Sequence, residues 1–259
     1  MTKLRASIPD LADKVVLVTG GSTGIGAAVV RAFAAQGALV AIGCRANRAS
    51  ADAIAREIGE AGGGALVVEG DVAKNEDCRR IVERTVAHFG RLDGLINNAG
   101  AMLGRVPSLE VDDDHLQAVL DLNASSVVRV TRAAAPHLAV RGGFVINTTS
   151  IAARNGGGGG AVLYAASKGF VSTITKGLAK ELWPKKIRVN GVAPGLIATL
   201  FHERDTDAKT FAVQEATIPM GRAGTSDECV GAYLYLASDA LSGYVIGQII
   251  EINGGQLMP

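Results

Sequence analysis

Seven short runs rich in β-branched and other apolar residues recur along the chain, separated mostly by stretches long enough for helices. They are Val15 to Thr19, Leu39 to Gly43, Ala65 to Glu69, Leu92 to Ile96, Phe144 to Thr148, Ile187 to Val192 and Gln248 to Ile252. The segments joining the first six have helical apolar periodicity, which predicts βαβ crossovers and therefore parallel strands. Runs such as Val15-Val16-Leu17-Val18 do not alternate with polar residues, as strands buried on both faces need not. The expectation is one three-layer α/β domain over residues 1–259, built on a seven-stranded, mostly parallel sheet. Hydrophobic residues make up 48% of the chain and charged ones 20%, which supports a packed core and gives no sign of disorder.

The same composition excludes several kinds of partner. Lys and Arg number 26 against 25 Asp and Glu, a formal net charge of +1, and no basic run stands out, so no nucleic-acid partner is expected. Cys44, Cys78 and Cys229 are odd in number and widely spaced, which fits neither a disulfide framework nor a zinc site and makes a reducing cytoplasm the default location. No apolar targeting segment opens the chain, and no run of about 20 apolar residues could span a bilayer, so no membrane role is expected. His88, His115, His137 and His202 lack ligand spacing, and Asp112-Asp113-Asp114 reads as a helix start, so no metal is expected.

Directly after the first strand comes Thr19-Gly20-Gly21-Ser22-Thr23-Gly24-Ile25-Gly26, followed by the apolar helix Ala27 to Gln36. Glycines here suit a tight turn, close approach of backbone to a pyrophosphate, and close helix packing, while the helix N-terminus offers free N–H groups to phosphate. This makes the α/β fold Rossmann-type. Three residues separate Gly20 from Gly24, and Thr-Gly-x-x-x-Gly-x-Gly resembles the short-chain dehydrogenase/reductase family. Further marks of that family follow in order: Asn97-Asn98-Ala99-Gly100 after the fourth strand, Asn123 in the long fourth-to-fifth crossover helix, Ser150 ending the fifth strand, Tyr164-Ala165-Ala166-Ser167-Lys168, and Pro194-Gly195. The resemblance runs from about Leu11 to Gly255.

The resemblance implies a nicotinamide dinucleotide cofactor and assigns its contacts. Gly20, Ser22, Gly24, Ile25 and Gly26 would line the pyrophosphate, Thr23 between them would offer a hydroxyl hydrogen bond to the cofactor, and Asp71 and Val72 would flank the adenine. Asn98, Ala99 and Gly100 would support the adenosine ribose, and Pro194, Gly195, Ile197 and Thr199 would meet the carboxamide end of the nicotinamide. NADP(H) is the preferred form and NAD(H) the alternative. At the second strand's end Cys44 takes the position where NAD users carry a carboxylate, and the guanidinium of Arg45 can pair with a 2′-phosphate. Thr23 stands where many NADP users of the family have a second basic residue, and Arg48 is a further candidate.

Four residues form the candidate catalytic set: Asn123, Ser150, Tyr164 and Lys168. Tyr164 and Lys168 stand four apart in a predicted helix over 162–182, so they share a face, and a nearby ammonium would lower a phenol's pKa toward working pH. Ser150 lies at the carboxyl end of a core strand, where open parallel sheets bind ligands, and its hydroxyl can hold a substrate oxygen. By the resemblance, Lys168 also binds the nicotinamide ribose, and Asn123 holds a water in a proton relay.

The expected activity is hydride transfer between nicotinamide and a ketone or secondary alcohol. The chain resembles the 3-oxoacyl-[acyl-carrier-protein] reductase branch, with Arg129 and Lys185 where that branch meets its acidic carrier. Sugar or polyol oxidation is the runner-up, and a catalytically silent dinucleotide-binding regulator the alternative of another class. Gly156 to Gly160 is expected to be a loop at the site's mouth, and a region of about 195–225 to be a substrate loop or lid. The resemblance implies a homotetramer, with Leu116 to Leu138 and Phe170 to Leu182 supplying apolar contacts.

Overall fold

A computed structural model describes residues 7–199 and 206–258. All seven strands are parallel and form one sheet in the order β3-β2-β1-β4-β5-β6-β7. The strands are β1 (Val15–Val18), β2 (Leu39–Cys44), β3 (Ala65–Glu69), β4 (Gly94–Asn97), β5 (Gly143–Thr148), β6 (Ile187–Pro194) and β7 (Ile249–Ile252). The helices are α1 (Gly24–Ala35), α2 (Arg48–Glu60), α3 (Asn75–Phe89), α4 (Asp113–Leu120), α5 (Ser126–Leu138), α6 (Ala152–Asn155), α7 (Val162–Leu182), α8 (Ala208–Glu215), α9 (Ser226–Ala237) and α10 (Asp239–Ser242).

Alternation along each strand feeds two cores, one on each face of the sheet. Val16 and Val18 join Val40 and Ile42 in a cluster that also takes Phe33 of α1, Ile54 of α2 and Tyr233 of α9. Val15 and Leu17 point the other way, into a cluster with Ile81 of α3, Val130 of α5 and Ala179 of α7. Each fully buried aliphatic side chain contributes about 1.5–3 kcal/mol. The strands are apolar on both sides because helices cover both sides.

Strand order reverses at β1, whose neighbours are β2 and β4. Chains leaving the carboxyl ends of β1 and β4 therefore diverge to opposite faces and open a crevice there. Helix α1 begins at Gly24, inside the glycine-rich turn rather than after it.

The crossover between β4 and β5 departs from the expected continuous helix. A π-helical segment, Asp121–Ser125, joins α4 to α5 and carries Asn123. The Asn123 Nδ2 donates to the Val119 carbonyl at 3.0 Å, the acceptor that a regular α-helical turn would use, and the wider turn accommodates it. In the expected lid region, α8 and the short parallel bridge Ile197 to Gly224 are formed. Leu200 to Asp205 of that region, and His202 with them, lie outside the described residues.

Candidate active site

Thr19, the last residue before the glycine turn, ties β1 to β4. Its Oγ1 donates to the Ile96 carbonyl and accepts from the backbone N–H groups of Asn98 and Ala99 at 3.0 and 3.1 Å. The Asn98 amide returns two bonds, to the carbonyls of Thr19 and Gly20, both at 3.1 Å. Side chains have no room here: a Cβ on Gly26 would sit 2.2 Å from the Gly20 carbonyl oxygen. Thr23 caps α1 without a side-chain bond to the first helical N–H groups, which leaves them to an anion.

On the other side of the crevice, α7 presents Tyr164 and Lys168. Lys168 is 3% exposed and its Nζ donates to the Thr148 carbonyl at the end of β5, at 2.8 Å. Thr149 Oγ1 in turn donates to the Lys168 carbonyl at 2.9 Å, fixing helix to strand. The Tyr164 and Ser150 hydroxyls are hydrogen-bonded to each other, and Lys168 Nζ lies 5.8 Å from the Tyr164 ring centroid. Asn123, fully buried, stands one layer behind. Its Oδ1 accepts from Ala101 N at 3.0 Å and its Nδ2 donates to Ala101 O at 2.9 Å. A Cβ on Gly100 would lie 2.8 Å from Asn123 Oδ1 and 3.2 Å from Lys168 Nζ, so this glycine lets the two side chains approach.

Burial sets the electrostatics, and it corrects the expected direction for the phenol. Desolvation pushes Tyr164 up to about 12, with the Ser150 hydrogen bond opposing, and pushes Lys168 down to about 8. Desolvation of the phenolate is the larger influence in the free protein, and the influence that opposes it is the Ser150 hydrogen bond. Both groups keep their ordinary charge states at neutral pH: a neutral phenol beside a cation.

One cavity of about 490 Å³ gathers most of the expected residues. Gly20, Thr23, Gly24, Ile25, Gly26, Asn98, Ala99 and Gly100 line one end, and Ser150, Tyr164, Lys168, Pro194, Gly195, Ile197 and Thr199 the rest. Ser22, Arg45, Asp71, Val72 and Asn123 are not part of its wall. Arg45 and Asp71 instead face each other at the ends of β2 and β3, 3.7 Å apart. Arg48 is engaged by carboxylates, Asp52 at 3.0 Å and Glu69 at 3.3 Å. Cys44 is 3% exposed and belongs to the core, which makes its position a poor place for a charged carboxylate.

Sequence reasoning missed Thr148, which holds Lys168 through its backbone, and Arg105, which lines the cavity from the loop after β4. Thr19 was visible only as the first letter of a motif. A row of buried amides also escaped notice. Asn97 Nδ2 donates to Asn147 Oδ1 at 2.9 Å, and Asn147 Nδ2 donates to Thr175 Oγ1 at 2.9 Å, joining β4, β5 and α7 beneath the site. Among the described residues no group of three His, Cys, Asp or Glu could hold a metal, and no helix is long and apolar enough to cross a membrane.

Fold and site together define a dinucleotide-dependent oxidoreductase: a phosphate-ready glycine turn opens into the same cavity as a serine, a tyrosine and a lysine suited to proton transfer. Comparison with known proteins carries this to the family. Residues 20–256 match the family model described as enoyl-(acyl carrier protein) reductase. The 3-oxoacyl-[acyl-carrier-protein] reductase of Synechocystis sp. is 37% identical over 249 residues, 96% of this chain and 98% of that protein. The crystal structure of the NADH-dependent reductase A1-R' complexed with NAD superposes with a TM-score of 0.87 at 39% identity, covering 97% of this chain and 100% of the other. A short-chain dehydrogenase from Burkholderia cenocepacia J2315 in complex with NADP gives 0.88 at 33%, covering 95% and 99%. The chain belongs to the short-chain dehydrogenase/reductase family and is an NAD(P)-dependent oxidoreductase.

Proposed function

We propose that this protein reduces the carbonyl group of a small polar molecule, using NADP(H) in preference to NAD(H). The hydrogen-bonded Ser150 and Tyr164 pair with Lys168 close by, in the cavity lined by the glycine turn, carries this reading. The bound nicotinamide supplies or accepts the hydride. Ser150 holds the substrate oxygen and polarises its carbon, and the Tyr164 hydroxyl gives that oxygen its proton as negative charge develops there. Lys168 supplies the positive charge beside the phenol, and Asn123 fixes the loop at Ala101 so that Gly100 and Lys168 keep their places. Gly20 to Gly26 hold the pyrophosphate and Pro194 to Thr199 the carboxamide end, while Asp71 and Val72 flank the adenine.

A phenol kept protonated by burial is ready to donate a proton to the carbonyl oxygen during reduction. The value of kcat/KM for carbonyl reduction is expected to hold steady up to about pH 8 and to fall above it, as Lys168 loses its charge with its value near 8. A profile that stayed level through pH 9.5 would remove Lys168 from the mechanism.

The acyl-carrier reading has one residue fewer than the sequence offered. Arg129 donates to the Ala73 carbonyl and to Asp121 Oδ1, both at 2.6 Å, and is spent inside the fold. Lys185 remains exposed. The cavity is lined both by Asn155, Gln214, Thr217 and Gln256 and by Met102, Leu196 and Val213, a mixture that suits a substrate with polar groups beside its carbonyl. Nicotinamide absorbance during a screen of 3-oxoacyl thioesters, sugars and small oxo compounds tests this directly. Cofactor binding without turnover across the panel favours the regulator.

A homotetramer fits the exposed apolar positions Leu116 on α4 and Phe170 on α7, which a two-fold partner would cover. Sedimentation at micromolar concentration is expected to give one species near four chains, and a monomer there would rule it out. Three buried free thiols accord with a reducing, cytoplasmic setting.

A further inference from the structure

A second opening lies at the amino ends of the strands, on the side of the sheet away from the catalytic cavity. It is a groove of about 400 Å³, framed where the chain enters β1, β4, β5 and β6, which stand side by side in the sheet. Lys14, Arg91, Arg141, Lys186 and Arg188 line it, against two carboxylates, Asp93 and Asp239. One groove thus holds a surplus of three positive charges, whereas the whole chain carries +1. The cations are gathered here rather than spread evenly, and the rest of the molecule is net acidic.

Both carboxylates are already engaged. Asp239 serves Lys14 at 3.4 Å and Arg188 at 2.9 Å. Asp93 accepts from Val15 N at 2.8 Å and pairs with Arg91, whose buried Nε has no hydrogen-bond acceptor. Arg141 and Lys186, both exposed, have no carboxylate partner among the described residues. The backbone holds these two close: Gly143 N donates to the Lys186 carbonyl at 3.1 Å, and a Cβ on Gly142 would lie 2.9 Å from that same oxygen. Lys186 N in turn donates to the Trp183 carbonyl at 2.7 Å, which fixes Trp183 beside the cations. Trp183 is the chain's single tryptophan, lines the groove and is 48% exposed.

We propose that this groove binds a nucleoside diphosphate, with its phosphates on Arg141 and Lys186 and its base against the Trp183 indole. A guanidinium donates paired hydrogen bonds to phosphate oxygens, an ammonium adds a point charge, and any base can stack on an aromatic face. The volume is that of a small-molecule site. A basic groove with one aromatic wall suits a ligand charged at one end and flat at the other. The site is separate from the cofactor and substrate cavity, with which it shares no lining residue.

Because Trp183 is the single tryptophan, its fluorescence reads this groove directly. With the cofactor cavity saturated by NADP⁺, ADP is expected to change the emission saturably, and adenosine to bind about tenfold or more weakly than ADP. Arg141→Gln combined with Lys186→Gln should weaken ADP by about tenfold or more, the size of one hydrogen bond to a charged group. The same double variant should leave kcat/KM for carbonyl reduction unchanged, since neither residue lines the catalytic cavity. Trp183→Leu, followed by the rise in Tm that a bound ligand gives, should weaken ADP and leave inorganic pyrophosphate as in wild type. No saturable change with ADP, a double variant that binds ADP as wild type does, or an ADP signal abolished by NADP⁺ would overturn the proposal. Pyrophosphate binding as tightly as ADP in wild type would overturn it as a nucleotide site.

Discussion

Tyr164→Phe is expected to lower turnover by about 10²–10⁴-fold, the usual share of a positioned proton-transfer group, while leaving NADPH binding near the wild-type value. The substitution deletes one hydroxyl and keeps the ring, so α7 and its contacts to β5 through Lys168 and Thr149 should stand. The bond to Ser150 is lost, and Ser150 still has its contact with Ala152 N at 3.1 Å. Single-turnover mixing with NADPH bound reads chemistry apart from cofactor affinity. If the Phe variant reduced its best substrate at near-normal rate, the proton would come from elsewhere and the assignment of Tyr164 would fail. Ser150→Ala should cost less in shape and more in KM than the tyrosine change, because the serine holds the substrate oxygen without owning the transferred proton.

Arg45→Leu is expected to shift the kcat/KM ratio of NADPH to NADH toward NADH by about 10–100-fold, as removal of one or two hydrogen bonds to a charged phosphate would. The Arg45 side chain is 60% exposed and its ion pair with Asp71 is long at 3.7 Å, so it is worth little and is readily exchanged. Arg48 cannot replace it cheaply, since Asp52 and Glu69 hold its guanidinium. An acidic residue at Cys44, the exchange that the sequence invites, is a worse experiment, because that side chain is buried in the core and a carboxylate there would destabilise the fold whatever the cofactor. Initial rates with both cofactors in wild type and variant decide the matter. A wild type that prefers NADH, or an unchanged ratio in the variant, would show that Arg45 does not read the phosphate.

The sequence by itself determined what depends on near neighbours along the chain. The periodicity that predicts a helix over 162–182 is matched by α7 at both ends, because a capable apolar stripe followed by Pro184 leaves little else for that stretch to do. The strands were legible to within two residues at either end, since apolar runs bounded by turns are a local signal. The glycine turn was legible for the same reason: the backbone there must be tight, and glycine alone permits it.

Tertiary structure decided whatever depends on segments far apart in sequence. Asn123 was expected in a regular helix, but its bonds to Ala101 lie 22 residues away and go with a π turn. The phenol of Tyr164 was expected to fall toward neutrality, and it rises instead, because desolvation is set by everything packed around the hydroxyl whereas the i+4 lysine is only one neighbour. Arg129 reads as a free surface cation until the fold brings Ala73 and Asp121 to it. Arg105 carries no sequence signal, and its bonds to Gly158, Gly159 and Thr206 join it to segments more than fifty residues on. Local propensity and spacing fixed the elements and the reaction class. Burial and long-range hydrogen bonding, which no local pattern encodes, set the charges and the partners of the groups that choose a substrate.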